Sequence, residues 1–206
     1  MNGLRIRRTI LAVLTVAASL AVAAPAAART SIDPASLNPP PPPEFNAVCF
    51  VRGSGIQCDL AFSDPPIVDE GSGIVCDGTE LRISQDRSVV GKRFYDGDGN
   101  LLQRHFRERF SGVFTNPDTG LQATWSGNTT IITTLAVPGD FDGATETATG
   151  LFSRVAGPNG QTVLVENGHI VALGTGELTW AGNHPFFDYY ELGDADAIQP
   201  LCDALD

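Results

Sequence analysis

The stretch NHPFFDYYE, residues 183–191, holds the side chains best suited to chemistry: His184, Asp188 and Tyr190. A histidine, a carboxylate and a phenol that converge on one pocket can pass protons at neutral pH, as a hydrolase or a barrel-type isomerase would need. Read as a strand, however, His184, Phe186, Asp188 and Tyr190 alternate with Phe187 and Tyr189. Both faces then carry aromatic rings, and packing at a closing strand explains the segment without catalysis. His105 and His169 are the only other histidines, and neither a G-x-S-x-G elbow nor an H-E-x-x-H pair is present. No catalytic residue is assigned, and the reading leans away from an enzyme.

A second candidate is the acidic run DGDGN at 96–100. Asp96, Asp98 and Asn100 match the first three ligand positions of an EF-hand loop, but position 6 is Leu101 and position 12 is Arg107. A cation stands where calcium needs a bidentate carboxylate, so a hairpin turn is the expected role. Neither a metal nor a cofactor is expected. A third group is Arg104, Phe106 and Glu108, which with Trp125 and Trp180 would line a ligand pocket for a small apolar or aromatic molecule.

The elements that must position these residues are strands. Segments 79–84, 88–95, 121–125, 129–137, 146–153, 161–166, 169–173, 177–180 and 186–192 are rich in β-branched and aromatic residues. Between them stand DGDGN, TNPDTG, SGN, PGDFDG, GPNG and NG, all turn chemistry. The expectation is an all-β fold: an antiparallel meander of about 8–10 strands closing into a barrel or sandwich. Only the tail DADAIQPLCDALD reads as helical, kept short by Pro200.

Segment 101–114 also has helical spacing, since Leu102, Phe106 and Phe110 stand at i, i+4 and i+8. A helix there would break the meander, so a strand is preferred. Arg104 and Glu108 then share a face with Leu102, Phe106, Phe110 and Phe114. Bare charges on a buried face are costly, which demands partners on a neighbouring strand, a register-flipping bulge, or a wet barrel mouth.

Cys49, Cys58, Cys76 and Cys202 allow three disulfide pairings. One has a geometric argument. CFVRGSGIQC folds about Gly53-Ser54 in a type II′ hairpin, which places Cys49 opposite Cys58 at a non-hydrogen-bonded pair, where Cα atoms approach to about 4.5 Å. Elimination leaves Cys76 with Cys202.

The ends give an address. Arg5, Arg7 and Arg8 precede the apolar run 10–24, and Ala26-Ala27-Ala28 suits a signal peptidase, so residues 1–28 read as a signal peptide. Residues 29–45, with five consecutive prolines, read as a Pro-rich linker in polyproline II, and 46–206 as one domain. The whole chain carries a net charge of −11; losing three arginines leaves 10 basic against 24 acidic residues, or −14. Such an acidic chain repels nucleic acid and anionic headgroups, so neither nucleic acid nor, after cleavage, a membrane is an expected partner.

The motifs YDGDGNL, TNPDTG and the terminal LCDALD, spread over most of residues 76–206, resemble a group of uncharacterised small secreted β-rich proteins of high-GC Gram-positive bacteria. The resemblance implies a secreted, extracellular β-rich domain and carries over no catalytic residue. Three functions remain as expectations. The first is a non-enzymatic barrel binding a small apolar or aromatic ligand, and the second a structural or interaction module with a cell-surface partner. The third is a secreted hydrolase or isomerase using His184.

Overall fold

The structure, a computed structural model, describes residues 29–206; the expected signal peptide lies outside the described residues. Ten strands follow one another: β1 (Ser31–Ile32), β2 (Val48–Arg52), β3 (Gly55–Ser63), β4 (Ile67–Cys76), β5 (Thr79–Tyr95), β6 (Leu101–Thr115), β7 (Gln122–Thr134), β8 (Thr145–Ala156), β9 (Thr162–Leu173) and β10 (Leu178–Asn183). Two helices close the chain, α1 (Pro185–Leu192) and α2 (Gln199–Leu205). Every strand pairs antiparallel with its neighbour, in the order β1-β2-β3-β5-β6-β7-β8-β9-β10, and β4 pairs with the first half of β5. The antiparallel all-β fold with a short C-terminal helix is therefore what forms, but the ladder stays open between its ends. Helix α1 spans part of that opening. The Tyr189 hydroxyl donates to Gly73 O and accepts from Val75 N–H, each at 3.1 Å, and the Tyr190 hydroxyl donates to Ser72 O at 2.9 Å, tying α1 to β4.

Several expected elements differ. Segment 186–192 is helix α1, not a strand. Pro185 starts it at a position where no N–H is needed. Gly193 ends it at φ 71°, and Asp194 N–H bonds six residues back to Asp188 O at 3.0 Å. Pro200 likewise lies in the first turn of α2 and opens that helix rather than limiting it. The pairs 79–84 with 88–95, 121–125 with 129–137, and 161–166 with 169–173 each merge into one long strand, and β4 was missed. The intervening SGN and NG motifs are sheet residues. Asn128 lies beside a bulge between β7 and β8, and Gly168 directly faces Gly150 and Gly182. These three glycines, at φ 144°, 132° and 124°, crease the sheet across β8–β10 with backbone that L residues rarely adopt.

Residues 29–45, expected as a linker, lie against the sheet. A proline run offers carbonyls but no N–H, so its hydrogen bonds must come from elsewhere. Tyr95 donates its hydroxyl to Pro39 O at 3.2 Å and Arg93 donates Nη1–H to Pro40 O at 3.1 Å. Phe45 stacks on Phe62 and Phe106, with centroids 5.1 and 5.7 Å apart.

Register partners share a face, so the odd residues of β5 and the even residues of β6 point together. That core face carries two separate apolar clusters. At one end Leu37, Cys49, Cys58, Tyr95, Leu101 and Leu135 pack beneath the N-terminal segment. At the other, Leu81, Phe114, Ala123, Val155 and Leu164 pack against Phe186, Ile198, Leu201 and Leu205 of the helical tail.

Both expected disulfides form, Cys49–Cys58 with Cα atoms 4.0 Å apart and Cys76–Cys202 across 126 residues. In the chain-entropy view the long loop contributes about 5 kcal/mol and the short one about 3. Replacing Cys76 and Cys202 by Ala should therefore lower urea-melt stability more than replacing Cys49 and Cys58. Equal losses would show that loop length does not set the contribution, and no loss on removing Cys76–Cys202 would show that the tail docks without its staple.

Candidate functional site

Strand β6 brings the sequence candidates Arg104, Phe106 and Glu108 to the core face in order, followed by Phe110. Its pairing with β7 runs without a register shift, so no bulge turns the charges away. They are paired instead. Arg104 donates Nη2–H to Glu146 Oε2 at 3.1 Å and Nε–H to Thr133 Oγ1 at 2.9 Å, and it lies over the Phe141 ring. Glu108 holds the Nε–H of Arg87, one strand over, and Arg87 Nη1 reaches Asp64 Oδ2 at 2.8 Å. Glu108 first, then Asp64, pushes the Arg87 pKa up against the cost of burial. Arg87, Glu108 and Asp64 thus form one ionic chain across the β3–β4 connection.

Between the two apolar clusters a groove of about 610 Å³ remains open. Phe110 and Trp125 form its apolar wall, Gln85, Arg87 and Glu108 its floor, and residues 64–67 with Glu70 its rim. Phe110 and Trp125 contact each other at 4.5 Å between centroids, and Trp125 also meets Phe114 at 5.2 Å. The Trp125 Nε1–H donates to the buried Ser153 hydroxyl, which fixes the indole with its polar atom turned away. Any Cβ at Gly127 would overlap the Phe110 ring, so this glycine lets the aromatic wall lie flat on β7. A second groove of about 650 Å³ touches Asp64, Pro66, Arg87 and Phe110 as well, but its Asp86, Ser88, Arg109 and Ser111 lie on the opposite face of the sheet.

Of the five pocket candidates, Glu108 and Trp125 line the 610 Å³ groove. Phe106 is held under Phe45, and Arg104 is engaged with Glu146. Trp180 lies apart on β10, 42 % exposed, against Phe187 of α1 at 4.5 Å. Asp64, Gln85, Arg87 and Phe110 were missed as site residues. Alternation from Phe106 and Glu108 could have added Phe110, whereas nothing in the spacing of Asp64 and Arg87 announces their meeting with Glu108.

The acid–base candidates His184 and Tyr190 do not converge on one pocket. His184 is buried, 2 % exposed, before α1. Its Nδ1 lies 3.5 Å from Glu166 Oε1, outside hydrogen-bond geometry, and Nε2 lies 3.2 Å from Ala181 O. Glu166, not Asp188, is thus its nearest carboxylate partner. Burial pushes the Glu166 pKa up, opposed by His184. Tyr190 points to β4 instead, its phenol pushed up to about 12 by desolvation, then by Tyr189 and Glu80. These groups line neither groove.

The acidic turn organises itself. Asp96 Oδ1 accepts from Asp98 N–H at 3.0 Å and Asn100 N–H at 2.8 Å, and its Oδ2 accepts from Asn100 Nδ2 at 3.3 Å. The Asn100 backbone N–H, first, holds the Asp96 carboxyl below its usual range. Among the described residues no group of three or more His, Cys, Asp or Glu side chains is placed to hold a metal.

No family model, curated protein or solved structure matches the chain. The two disulfides belong to an oxidising environment, and no helix among the described residues is long and apolar enough to cross a membrane.

Two outcomes follow. Because the folded Glu166 pKa is raised, its contribution is full below the ordinary value near 4.5 and is lost as pH rises through the folded value. Glu166→Gln should flatten that decline in denaturant melts without lowering stability at pH 7. A loss of several kcal/mol there would instead mark an ionised Glu166–His184 pair. Asp96, with a lowered pKa, contributes above its unfolded value and loses that as pH falls. Asp96→Ala should lower the melting temperature, and calcium should leave the native melt unchanged; a calcium-dependent rise would revive a metal role.

Proposed function

We propose that the chain is a secreted, non-enzymatic protein that binds a small apolar or aromatic molecule in the groove beside Phe110 and Trp125. The observation that carries this reading is the groove itself, about 610 Å³, left between two packed clusters on one face of the sheet. Its size falls within the range of small-molecule sites, and its wall is a pair of rings fixed by their neighbours. Export is supported by the signal-like leader and by four cysteines that all pair. The non-enzymatic part is supported by His184, buried with Glu166 away from either groove.

An interaction module is the second reading, favoured by one observation. All six residues of β10 are exposed, and its outer edge pairs with no strand among the described residues. A cell-surface partner could add a strand there.

Native mass spectrometry of the exported protein tests the first reading. The expected result is a retained small molecule, or uptake of added 2-naphthalenemethanol, that is lost on denaturation. Phe110→Ala should abolish it while keeping a cooperative melt. A bare wild-type mass that takes up no probe would overturn the proposal in favour of the interaction module.

A further inference from the structure

The groove has a sign as well as a shape. Its lining holds three carboxylates, Asp64, Glu70 and Glu108, and one cation, Arg87. Arg87 is engaged by Asp64 and Glu108 together, so its charge is already answered twice. Glu70 makes no salt bridge among the described residues and stands on the rim, exposed. Asp86 and Arg109 neighbour Arg87 and Glu108 in sequence but point to the opposite face of the sheet and do not enter this balance. The site is therefore left with a formal charge of −2 beside the faces of Phe110 and Trp125.

Resting on the ligand-binding reading above, we propose that the groove's ligand is a cation: a small molecule with a flat apolar body and a protonated amine or quaternary nitrogen. The flat body stacks on Phe110 and Trp125, whose π-faces carry the negative part of the ring quadrupole. The nitrogen lies toward Glu70 and the Asp64–Glu108 side, where the carboxylates outnumber Arg87. A ligand carboxylate would meet these acids in a partly desolvated groove and be rejected, whereas a neutral ligand would gain only the stacking. The long-range field acts in the same direction, since a chain of net charge −11 attracts cations and slows the approach of anions. Selectivity thus comes from the rim acids and affinity from the rings.

The test is a charge series on one skeleton: 1-naphthylmethylammonium, 1-naphthalenemethanol and 1-naphthoate. Titration is followed by tryptophan fluorescence in a Trp180→Phe background, which leaves Trp125 as the sole indole, and by calorimetry. The expected order is cation over neutral by about tenfold, the scale of a desolvated cation–π contact with added Coulombic attraction, and no measurable anion binding. Glu70→Gln should shrink the cation-to-neutral ratio, as should raising salt from low to high ionic strength. If the alcohol binds as tightly as the amine, the charge assignment is overturned while the binding groove stands. If the naphthoate binds best, the sign is wrong. If none of the three binds and Trp125 emission is unmoved, the groove reading fails and this inference with it.

Discussion

An antiparallel sheet persists in water only when one face is covered, and in this protein the cover comes in two pieces from the two ends of the chain. The N-terminal proline segment lies over one end of the core face, and the helical tail packs over the other. Strands β5 and β6, of 17 and 15 residues, are long enough to pass under both covers. The middle of the face is covered by neither. The open groove is thus a consequence of how the covers divide the sheet.

Each cover is held by chemistry suited to its sequence. The proline run has no donors, so Tyr95 and Arg93 supply them from β5. Arg93 is 5 % exposed and makes no salt bridge among the described residues; a carbonyl contact holds this cation under the cover. The tail has a covalent anchor, Cys76–Cys202, and polar clasps besides. Leu205 O accepts from Asn116 Nδ2 at 3.1 Å and Thr119 Oγ1 at 2.7 Å, and Tyr189 and Tyr190 hold β4. These ties add to the apolar cluster beneath the tail, because two short helices are weakly stable by themselves.

The charges of β6 show how the middle of the face avoids both collapse and strain. Arg104 and Glu108 point the same way as three phenylalanines, a pattern that would be expensive if dry and unpaired. Each has instead a partner one or two strands away, reached across the antiparallel register. The ionic chain Asp64–Arg87–Glu108 stays partly hydrated, which keeps apolar residues from closing over it. A groove with rings on one side and paired charges on the floor is the outcome.

Much of this was legible in the residues themselves. Period-two alternation of β-branched and aromatic side chains specifies strands, and turn residues such as Asp96–Asn100 specify where some of them reverse, because both effects are local. The Cys49–Cys58 pair follows from counting outward from Gly53-Ser54, since hairpin register is set by the turn. Other features depended on what lies far away in sequence. Asn167-Gly168 is a turn motif by composition, yet it continues a strand because Gly150 and Gly182 face it. Segment 186–192 has rings on both faces as a strand, yet it is a helix whose flanking Pro185 and Gly193 are local signals and whose tyrosines find their partners only on distant β4. Residues 29–45 have the composition of a spacer, and it is distant partners, among them Phe62, Arg93, Tyr95 and Phe106, that turn them into a cover. The sequence by itself determined the strands, the near hairpin and the acidic balance, all products of neighbouring residues. Tertiary structure alone decided that Arg87 meets Glu108, that His184 meets Glu166, and that Phe110 and Trp125 wall a groove, because those meetings depend on strand register and on which ends of the sheet the termini cover.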